Sequence, residues 1–459
     1  MTNKRRSFLK TAALGAGIVA VGSIAQAEQA QAAKLPEILT QASTDHGKQA
    51  QNMCGFAAPK IKNVRIGLIG LGHRGGGAVG RLSKIPGATL AAICDLEPKK
   101  VEKQIAGLVK RDYPAPKTFS GEEGWKKMCE MEDLDLIYIC TPWRHHTPMA
   151  VYAMECGKHA ATEVPAATTI EECWQLVNTS ERTKKHCMQL ENCCYDGFEM
   201  LTLSMAQQGA FGELCHAEGA YIHDLVGLNT GGHYQGKWRL EQNIKRNGGL
   251  YQTHGLGPIS QCMNINRGDK YGYVTSMSSL DVNLRPAIQK RLKGTPYAEA
   301  KTVRGNMNTT LIKTANGKTI MVQHDVSSPR PYSRIHLLSG SKGMCRKYPD
   351  GMIALGHHAL KGDALKEVKK KYAHPLSKRM ADAARKLGGH GGMDGIMDSR
   401  LIECLNQGLP LDQDCYDAAA WSAVAPLSEW SVANQSNSIE VPDFTRGAWR
   451  KNKPLGVVQ

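Results

Sequence analysis

Residues 67–77 read GLIGLGHRGGG and stand between an apolar run at 64–69 and a helix-compatible stretch at 78–82. Within them Gly70, Gly72 and Gly75 have the spacing of a turn that cradles a pyrophosphate. The first glycine permits the tight turn, and the second lets backbone N–H groups approach the phosphates. The third lets the helix lie close on the strand, with its positive end aimed at the anion. His73 and Arg74 fall inside this phosphate loop. A second apolar run, 89–94, ends in Asp95, 20 residues after Gly75. A carboxylate there accepts the adenosine ribose hydroxyls and repels a 2′-phosphate, so the expected cofactor is NAD rather than NADP.

Between 63 and 190, apolar runs at 64–69, 89–94, 135–140, 159–163 and 187–191 alternate with helical stretches. That pattern predicts an α/β domain with a doubly wound parallel sheet, whose ligands bind beyond the carboxyl ends of the strands. From about residue 212 strand-like runs follow one another, at 214–221, 273–282, 309–312, 319–324 and 333–339. They predict an α+β domain built on a largely antiparallel open sheet with helices, its face roofing the cofactor. Residues 361–388 are basic and read as helical, and 393–406 and 416–435 read as helices that return to the body. The expected organisation is a leader at 1–32, a polar arm at 33–62, a nucleotide domain at 63–190, a substrate domain at 191–435 and a tail at 436–459.

The leader carries Lys4-Arg5-Arg6-Ser7-Phe8-Leu9-Lys10, a twin-arginine export signal, then an uncharged apolar region at 11–24. Small-residue cleavage sites follow at Ala25-Gln26-Ala27 and Ala30-Gln31-Ala32. The apolar region is too short and too rich in Gly and Ala to span a bilayer comfortably. The expectation is a periplasmic protein that meets the twin-arginine export machinery and keeps no stable membrane anchor after cleavage. That route carries folded proteins to a compartment with little free NAD. The cofactor must then be loaded in the cytoplasm, held tightly and regenerated within each turnover.

Charge narrows the partners further. The formal net charge is +16, of which four charges stand in the leader at Lys4, Arg5, Arg6 and Lys10, leaving +12. The surplus is spread along the chain, densest in KEVKKK at 366–371, with no basic–aromatic motif beside it. It reads as a solvated basic surface, and nucleic acid is not an expected partner. The 14 cysteines lack paired CxxC spacing, and Cys94 and Cys140, at strand ends, read as small buried hydrophobes.

Strand ends carry the next signals. The run at 135–140 leads into Thr141-Pro142-Trp143-Arg144-His145-His146, and the following one into Glu163-Val164-Pro165. Adjacent residues rarely point at one ion, so His145 and His146 are read as loop packing around NAD, and no metal is expected. GLIGLGxRG, Asp95, TPxxxH and GKHxxxExP together resemble the Gfo/Idh/MocA group of NAD(P)-dependent sugar oxidoreductases. That group usually has EKP in the last motif, with its Lys assisting proton transfer; here Val164 stands in that place. The group's second domain places an Asp and then a His after a Gly-Gly pair, whereas here Gly248-Gly249 is followed by His254 near the Asp position. Both departures count against an ordinary alcohol dehydrogenase.

A narrower resemblance accommodates them. EVPAA at 163–167, ENCCY at 191–195, HAEGAYIHDL at 216–225, WRL at 238–240, LYxTHGLGP at 250–258, RPYSR at 330–334, GHGGMD at 389–394 and GLPLDQDxYDAAAWSAV at 408–424 are similar to glycoside hydrolase family 109. Its members are NAD-dependent glycosidases, best known as α-N-acetylgalactosaminidases. The resemblance implies cofactor contacts at Trp143, Arg144, His145, His146, Glu163, Val164 and Asn192. It implies sugar contacts at Tyr221, Arg239, Tyr251, Gln252, Thr253, His254 and Tyr332. His254 is the expected principal acid/base, Tyr195 or Tyr221 the second proton donor, and Arg239 a ligand for the sugar or its N-acetyl carbonyl. His390, set between glycine pairs, either lines the pocket or marks a tight turn.

Such chemistry needs no carboxylate pair flanking the glycosidic bond. Oxidation of a sugar hydroxyl at C3 gives a ketone and acidifies the hydrogen on C2. A base removes that proton, the enolate expels the aglycone from C1, water adds, and the ketone is reduced again. A histidine, with a reference pKa of about 6.5, suits the proton transfers, as does a tyrosine lowered by its surroundings. Two alternatives stay open on the sequence. One is a periplasmic sugar oxidoreductase that releases oxidised product, against which Val164 and HGLGP count. The other is a non-catalytic sugar-binding or assembly protein that holds NAD structurally. The sheet face could support a homo-oligomer, and nothing in the sequence sets its order, the sugar, the linkage or the aglycone.

Overall fold

Strands covered by helices on both faces are apolar at nearly every position, and the first sheet shows this directly. Val64–Ile69 (β1), Ala88–Asp95 (β2), Lys117–Ser120 (β3), Leu136–Ile139 (β4), His159–Thr162 (β5) and Cys187–Gln189 (β6) pair in parallel in the order β3-β2-β1-β4-β5-β6. In β4 (LIYI) every residue is buried. This is the doubly wound sheet the alternation predicts, in a computed structural model that describes residues 46–455. The export leader and the first part of the arm lie outside the described residues. β3 (KTFS) is an addition: an edge strand with no buried residue, it has no apolar pattern to announce it. Strand order reverses between β1 and β4, the switch point beyond which ligands of such sheets bind.

The second sheet contains Leu214–Ile222 (β7), Tyr271–Ser278 (β8), Met307–Thr314 (β9), Thr319–Asp325 (β10), Leu337–Gly340 (β11), Gly343–Arg346 (β12), Met352–Leu355 (β13) and Ile439–Glu440 (β14). Their order is β13-β12-β11-β7-β10-β9-β8-β14, antiparallel throughout except for the parallel β7–β10 pair. The run expected at 333–339 becomes a strand only at Leu337, because Ile335 and His336 take left-handed φ values of 56° and 51°. The run at 361–388 divides into three helices, Gly362–Lys371, Pro375–Arg379 and Ala381–Leu387. One face of the sheet stays open, with Tyr273, Met277 and Leu311 exposed on it.

Helices cover the other face, and of the sheet only the carboxyl end of β7 reaches the cofactor cleft, through Tyr221. The helix Thr253–Cys262 lies so close on β7 that a Cβ at Gly255 would come within 2.1 Å of the Ala220 nitrogen. The helix Cys415–Ala433 (CYDAAAWSAVAPLSEWSVA) is buried nearly all round, as a helix packed on both sides must be. It touches β8 on one side and the helix Ile170–Thr183 of the first domain on the other, joining the two halves. A capping box of Asp414 and Asp417 starts it, and the buried Arg267 guanidinium meets both carboxylates, at 2.8 and 2.7 Å.

Candidate active site

A cleft of about 1200 Å³ opens beyond the carboxyl ends of β1, β2 and β4 and runs to the carboxyl end of β7. That exceeds the usual range for a drug-sized ligand and leaves room for a dinucleotide with a sugar beyond it. Its roof is the carboxyl end of β7 with the segment 223–241, whose His233 ring lies 4.6 Å from that of His73.

At one end of the cleft the phosphate loop is built by backbone sterics. Gly70 takes φ +89°, and a Cβ there would sit 2.6 Å from the Cys140 carbonyl oxygen. A Cβ at Gly75 would fall 1.7 Å from the Gly70 oxygen, so the helix His73–Leu82 can only start here without a side chain. At Gly72 a Cβ would meet nothing. That open side, at the N-cap of a helix with no acid in its first turn and no side-chain cap, is what a pyrophosphate requires. Asp95 accepts the Leu71 and Glu97 N–H groups at 2.7 and 2.9 Å, and its remaining lone pairs are available to a ribose.

Arg74 turns from the loop into an ion network between the domains. Its guanidinium donates to Glu163 Oε1 at 2.9 and 2.6 Å and to Asp394 Oδ2 at 3.0 Å. Asp394, the second residue of the helix Met393–Gln407, also accepts the Asn192 amide at 2.6 Å and meets Arg81 at 3.4 Å. His390 Nδ1 lies 2.9 Å from Asp394 Oδ2, so this histidine lines the cleft from within its glycine run. Burial alone would raise Asp394, but the His390 hydrogen bond and the Arg74 and Arg81 charges hold it well below the usual carboxylate range.

The far end of the cleft is aromatic and protonic. His254 Nδ1 lies 2.6 Å from Glu191 Oε1, and the ring faces Tyr251 at 5.0 Å and Tyr221 at 5.3 Å between centroids. Burial raises the Tyr221 phenol despite the opposing charge of Arg239, so it rests as a neutral donor. This corrects the expectation of a tyrosine lowered by its surroundings. Tyr251 stacks on Trp143 at 5.6 Å, and the Arg239 guanidinium lies 4.4 Å from the Tyr251 ring. Arg239 is buried, donates to the Tyr234 hydroxyl at 2.9 Å, and keeps Nη2 without a partner among the described residues. Tyr332 stands edge-on to His223, 37% exposed, and does not itself line the cleft.

Most of the expected residues therefore meet in one cleft: Gly70, Gly72, His73, Arg74, Asp95, Arg144, His145, Glu163 and Asn192 at the nucleotide end, Tyr221, Arg239, Tyr251 and His254 at the other. Trp143 and Val164 stand behind it, packed with Tyr221 and Tyr251. Others need correction. Tyr195 is removed from the cleft: its hydroxyl lies 3.3 Å from Asp412, beside a separate small cavity lined by Met200 and His374. Gln252 and Thr253 are buried beneath the helix start, with the Gln252 amide on Asn308 and Thr310, and neither lines the cleft. His146 is buried, its ring nitrogens 2.7 Å from the Pro165 and Thr141 carbonyl oxygens, where it ties two loops together. The sequence reading gave no role to Glu191, Asp394, His223, His233 or Tyr234. The quoted motifs ENCCY and GHGGMD contain the first two, but only the tertiary contacts show what they touch.

Glu191, Cys193 and His254 place one potential ligand atom each within 4.8 Å of one another. Burial holds Cys193 as a thiol and the carboxylate occupies the imidazole Nδ1, so the group handles protons rather than a cation. All fourteen cysteines are free.

Comparison with known proteins agrees with this division. Residues 64–190 match the family model of the oxidoreductase family with NAD-binding Rossmann fold, and residues 195–451 that of the glycosyl hydrolase 109 C-terminal domain. The α-N-acetylgalactosaminidase of Bacteroides fragilis is 48% identical over 408 residues, covering 87% of this chain and 96% of that protein. A glycosyl hydrolase family 109 protein of Shewanella putrefaciens is 45% identical over 470 residues, covering 99% of this chain and 98% of that one. Among solved structures, an oxidoreductase domain protein from Kribbella flavida shares the fold with a TM-score of 0.65 at 18% identity, over 83% of this chain and all of that one. An NAD-binding Rossmann domain joined to this C-terminal domain makes the chain a member of glycosyl hydrolase family 109.

Proposed function

We propose that this glycoside hydrolase cleaves N-acetylhexosaminides, α-N-acetylgalactosaminides first among them, using NAD that stays bound and is restored within each turnover. The observation that carries the reading is one cleft holding a dinucleotide loop at one end and a half-buried imidazole against a buried phenol at the other. The name of the B. fragilis relative supports the sugar. Gly70, Gly72, Gly75 and Asp95 would hold the cofactor's pyrophosphate and ribose. Bound NAD supplies reversible oxidation of the sugar at C3, which acidifies the neighbouring C2 hydrogen.

His254 takes the proton from C2 and later returns one there. Tyr221, a neutral phenol at rest, donates to the oxygen leaving C1. Arg239, with no carboxylate partner and an unbonded Nη2 among the described residues, is available to the N-acetyl carbonyl. Glu163 is held by Arg74 and Asp95 by two backbone amides, so neither is placed as one of two acids flanking a glycosidic bond.

The leader supports action in the periplasm after export as a folded holoprotein. Among the described residues no helix is long and apolar enough to cross a membrane. Purified mature protein, without added NAD, tests the reading against a panel of p-nitrophenyl glycosides. Nitrophenol release from the α-N-acetylgalactosaminide is expected, with stoichiometric NAD recovered from the denatured protein. No release from any glycoside, with sugar-dependent reduction of the bound cofactor, would instead identify a sugar oxidoreductase.

A further inference from the structure

His254 is positively charged from the moment it takes up the C2 proton until it returns one, and the fold places a carboxylate against it. We infer that Glu191 is a positioning residue: it fixes the tautomer of His254 and pairs with the imidazole once it is protonated. This rests on the reading of His254 as the acid/base.

Glu191 is fully buried, with Oε1 2.6 Å from His254 Nδ1. An ionised carboxylate only accepts, so the hydrogen of the neutral imidazole resides on Nδ1. Nε2, which has no partner among the described residues, is left as the nitrogen available to the cleft. Burial would push the Glu191 carboxyl up, but the His254 charge and hydrogen bond, together with Thr253 and the Cys193 N–H, outweigh it and hold the group below its usual value. It is therefore ionised at neutral pH. The other carboxylate oxygen, Oε2, is buried with no hydrogen bond among the described residues. Oε1 also accepts the Cys193 N–H at 3.1 Å, but that donor is neutral; a buried charge is costly unless a cation answers it, and the protonated imidazole is the cation in place.

Two further devices seat this side chain. Gln413, fully buried and 222 residues along the chain, grips both main-chain groups of Glu191. Its Oε1 accepts the Glu191 N–H at 3.1 Å and its Nε2 donates to the Glu191 carbonyl at 3.0 Å. Gly257, three residues beyond His254, leaves the space that Glu191 fills. A Cβ there would come 2.9 Å from Glu191 Cγ and 3.2 Å from the Trp421 ring. With Gly255 pressed on β7, both glycines of the THGLGP run serve the placement of one histidine against one carboxylate.

The titratable groups facing His254 are Glu191 and Cys193 from the segment after β6, Tyr221 and His223 from the end of β7, and Tyr251 from its own turn. Arg239, against the Tyr251 ring, is the permanent charge on that side. Of these, Glu191 alone is an acid in contact with the imidazole.

The test uses the mature holoprotein and Glu191→Gln, which keeps shape and an acceptor but removes the charge. The expected result is a kcat about 10²- to 10⁴-fold lower, with KM within a few-fold and NAD content unchanged. The acidic limb of the kcat/KM profile should move to lower pH than in the wild type, because a neutral amide holds the added proton less well than a carboxylate. A wild-type rate, or an acidic limb at the wild-type position, would overturn the assignment.

Should Glu191→Gln not fold, ¹⁵N-histidine NMR of the wild-type holoprotein decides, with the His254 signal assigned by its loss in His254→Asn. The neutral tautomer protonated at Nδ1 is expected; the Nε2-protonated form contradicts the inference. This readout requires no turnover, so failure of the glycosidase reading and failure of the Glu191 role are told apart.

Discussion

The two ends of the cleft are made in opposite ways. The nucleotide end is a contiguous stretch whose shape is dictated by missing side chains: Gly70 and Gly75 are required because a Cβ would strike backbone. The sugar end gathers side chains from distant parts of the chain, with Glu191, Tyr221, Arg239, Tyr251, His254 and Gln413 meeting through tertiary contacts alone. A site made of backbone is sensitive to added atoms. One made of side chains is sensitive to lost ones, and its members depend on partners far away in sequence. The first kind is readable from a short motif, and the second is not.

The sharpest contrast lies within the loop itself. Gly75→Ala places a Cβ 1.7 Å from the Gly70 oxygen, so the loop cannot close, and NAD recovered from the purified protein should fall to background with a lowered Tm. Gly72→Ala meets no protein atom and should lose NAD while keeping the Tm of NAD-stripped wild type, because its methyl group enters the phosphate space. Equal losses of stability in the two variants would contradict the division. At the other end, His254→Ala should lower kcat by about 10²- to 10⁴-fold and leave NAD content near wild type, with a lowered Tm because the buried Glu191 carboxylate loses its partner.

Between the ends, Asp394→Asn leaves the buried guanidinium of Arg81 and the Arg74 charge short of a carboxylate, at a cost of about 3 kcal/mol in denaturant unfolding. The sign with pH follows from its lowered value. The contribution of Asp394 is present above the unfolded carboxylate value of about 3.9 and fades as pH falls below it, so the variant's deficit should shrink in acid. The smallest effect is expected from Tyr195→Phe, which loses one hydrogen bond to Asp412: about 0.5–1.5 kcal/mol of stability, with kcat unchanged. A tenfold fall in kcat would return Tyr195 to the catalytic group.

Five of the six parallel strands were legible because full burial makes them apolar, while β3 was not, being an exposed edge of polar residues. In the second domain the strand expected at 333–339 lost its first four residues to a left-handed turn at Ile335 and His336, a feature no hydropathy pattern carries. Arg239, Tyr251 and His254 were found by motif, and they converge. Tyr195 belongs to the same kind of motif, yet the 3-10 turn Asn192–Tyr195 sends Asn192 to the cleft and Tyr195 away from it. Glu191 and Gln413 lie inside quoted motifs, but no local pattern shows that they meet, since their bond closes over 222 residues. The tyrosine expected to be lowered is raised because burial acts against the phenolate, and that depends on neighbours the sequence does not display.

The most direct test of the account is hydrolysis of p-nitrophenyl α-N-acetylgalactosaminide in deuterium oxide by the mature protein without added NAD, with C2 of the released sugar read by NMR. Proton removal and return by His254 predicts nitrophenol release with deuterium at C2. Release with C2 still fully protonated would contradict removal of the C2 proton by His254 with exchange before its return.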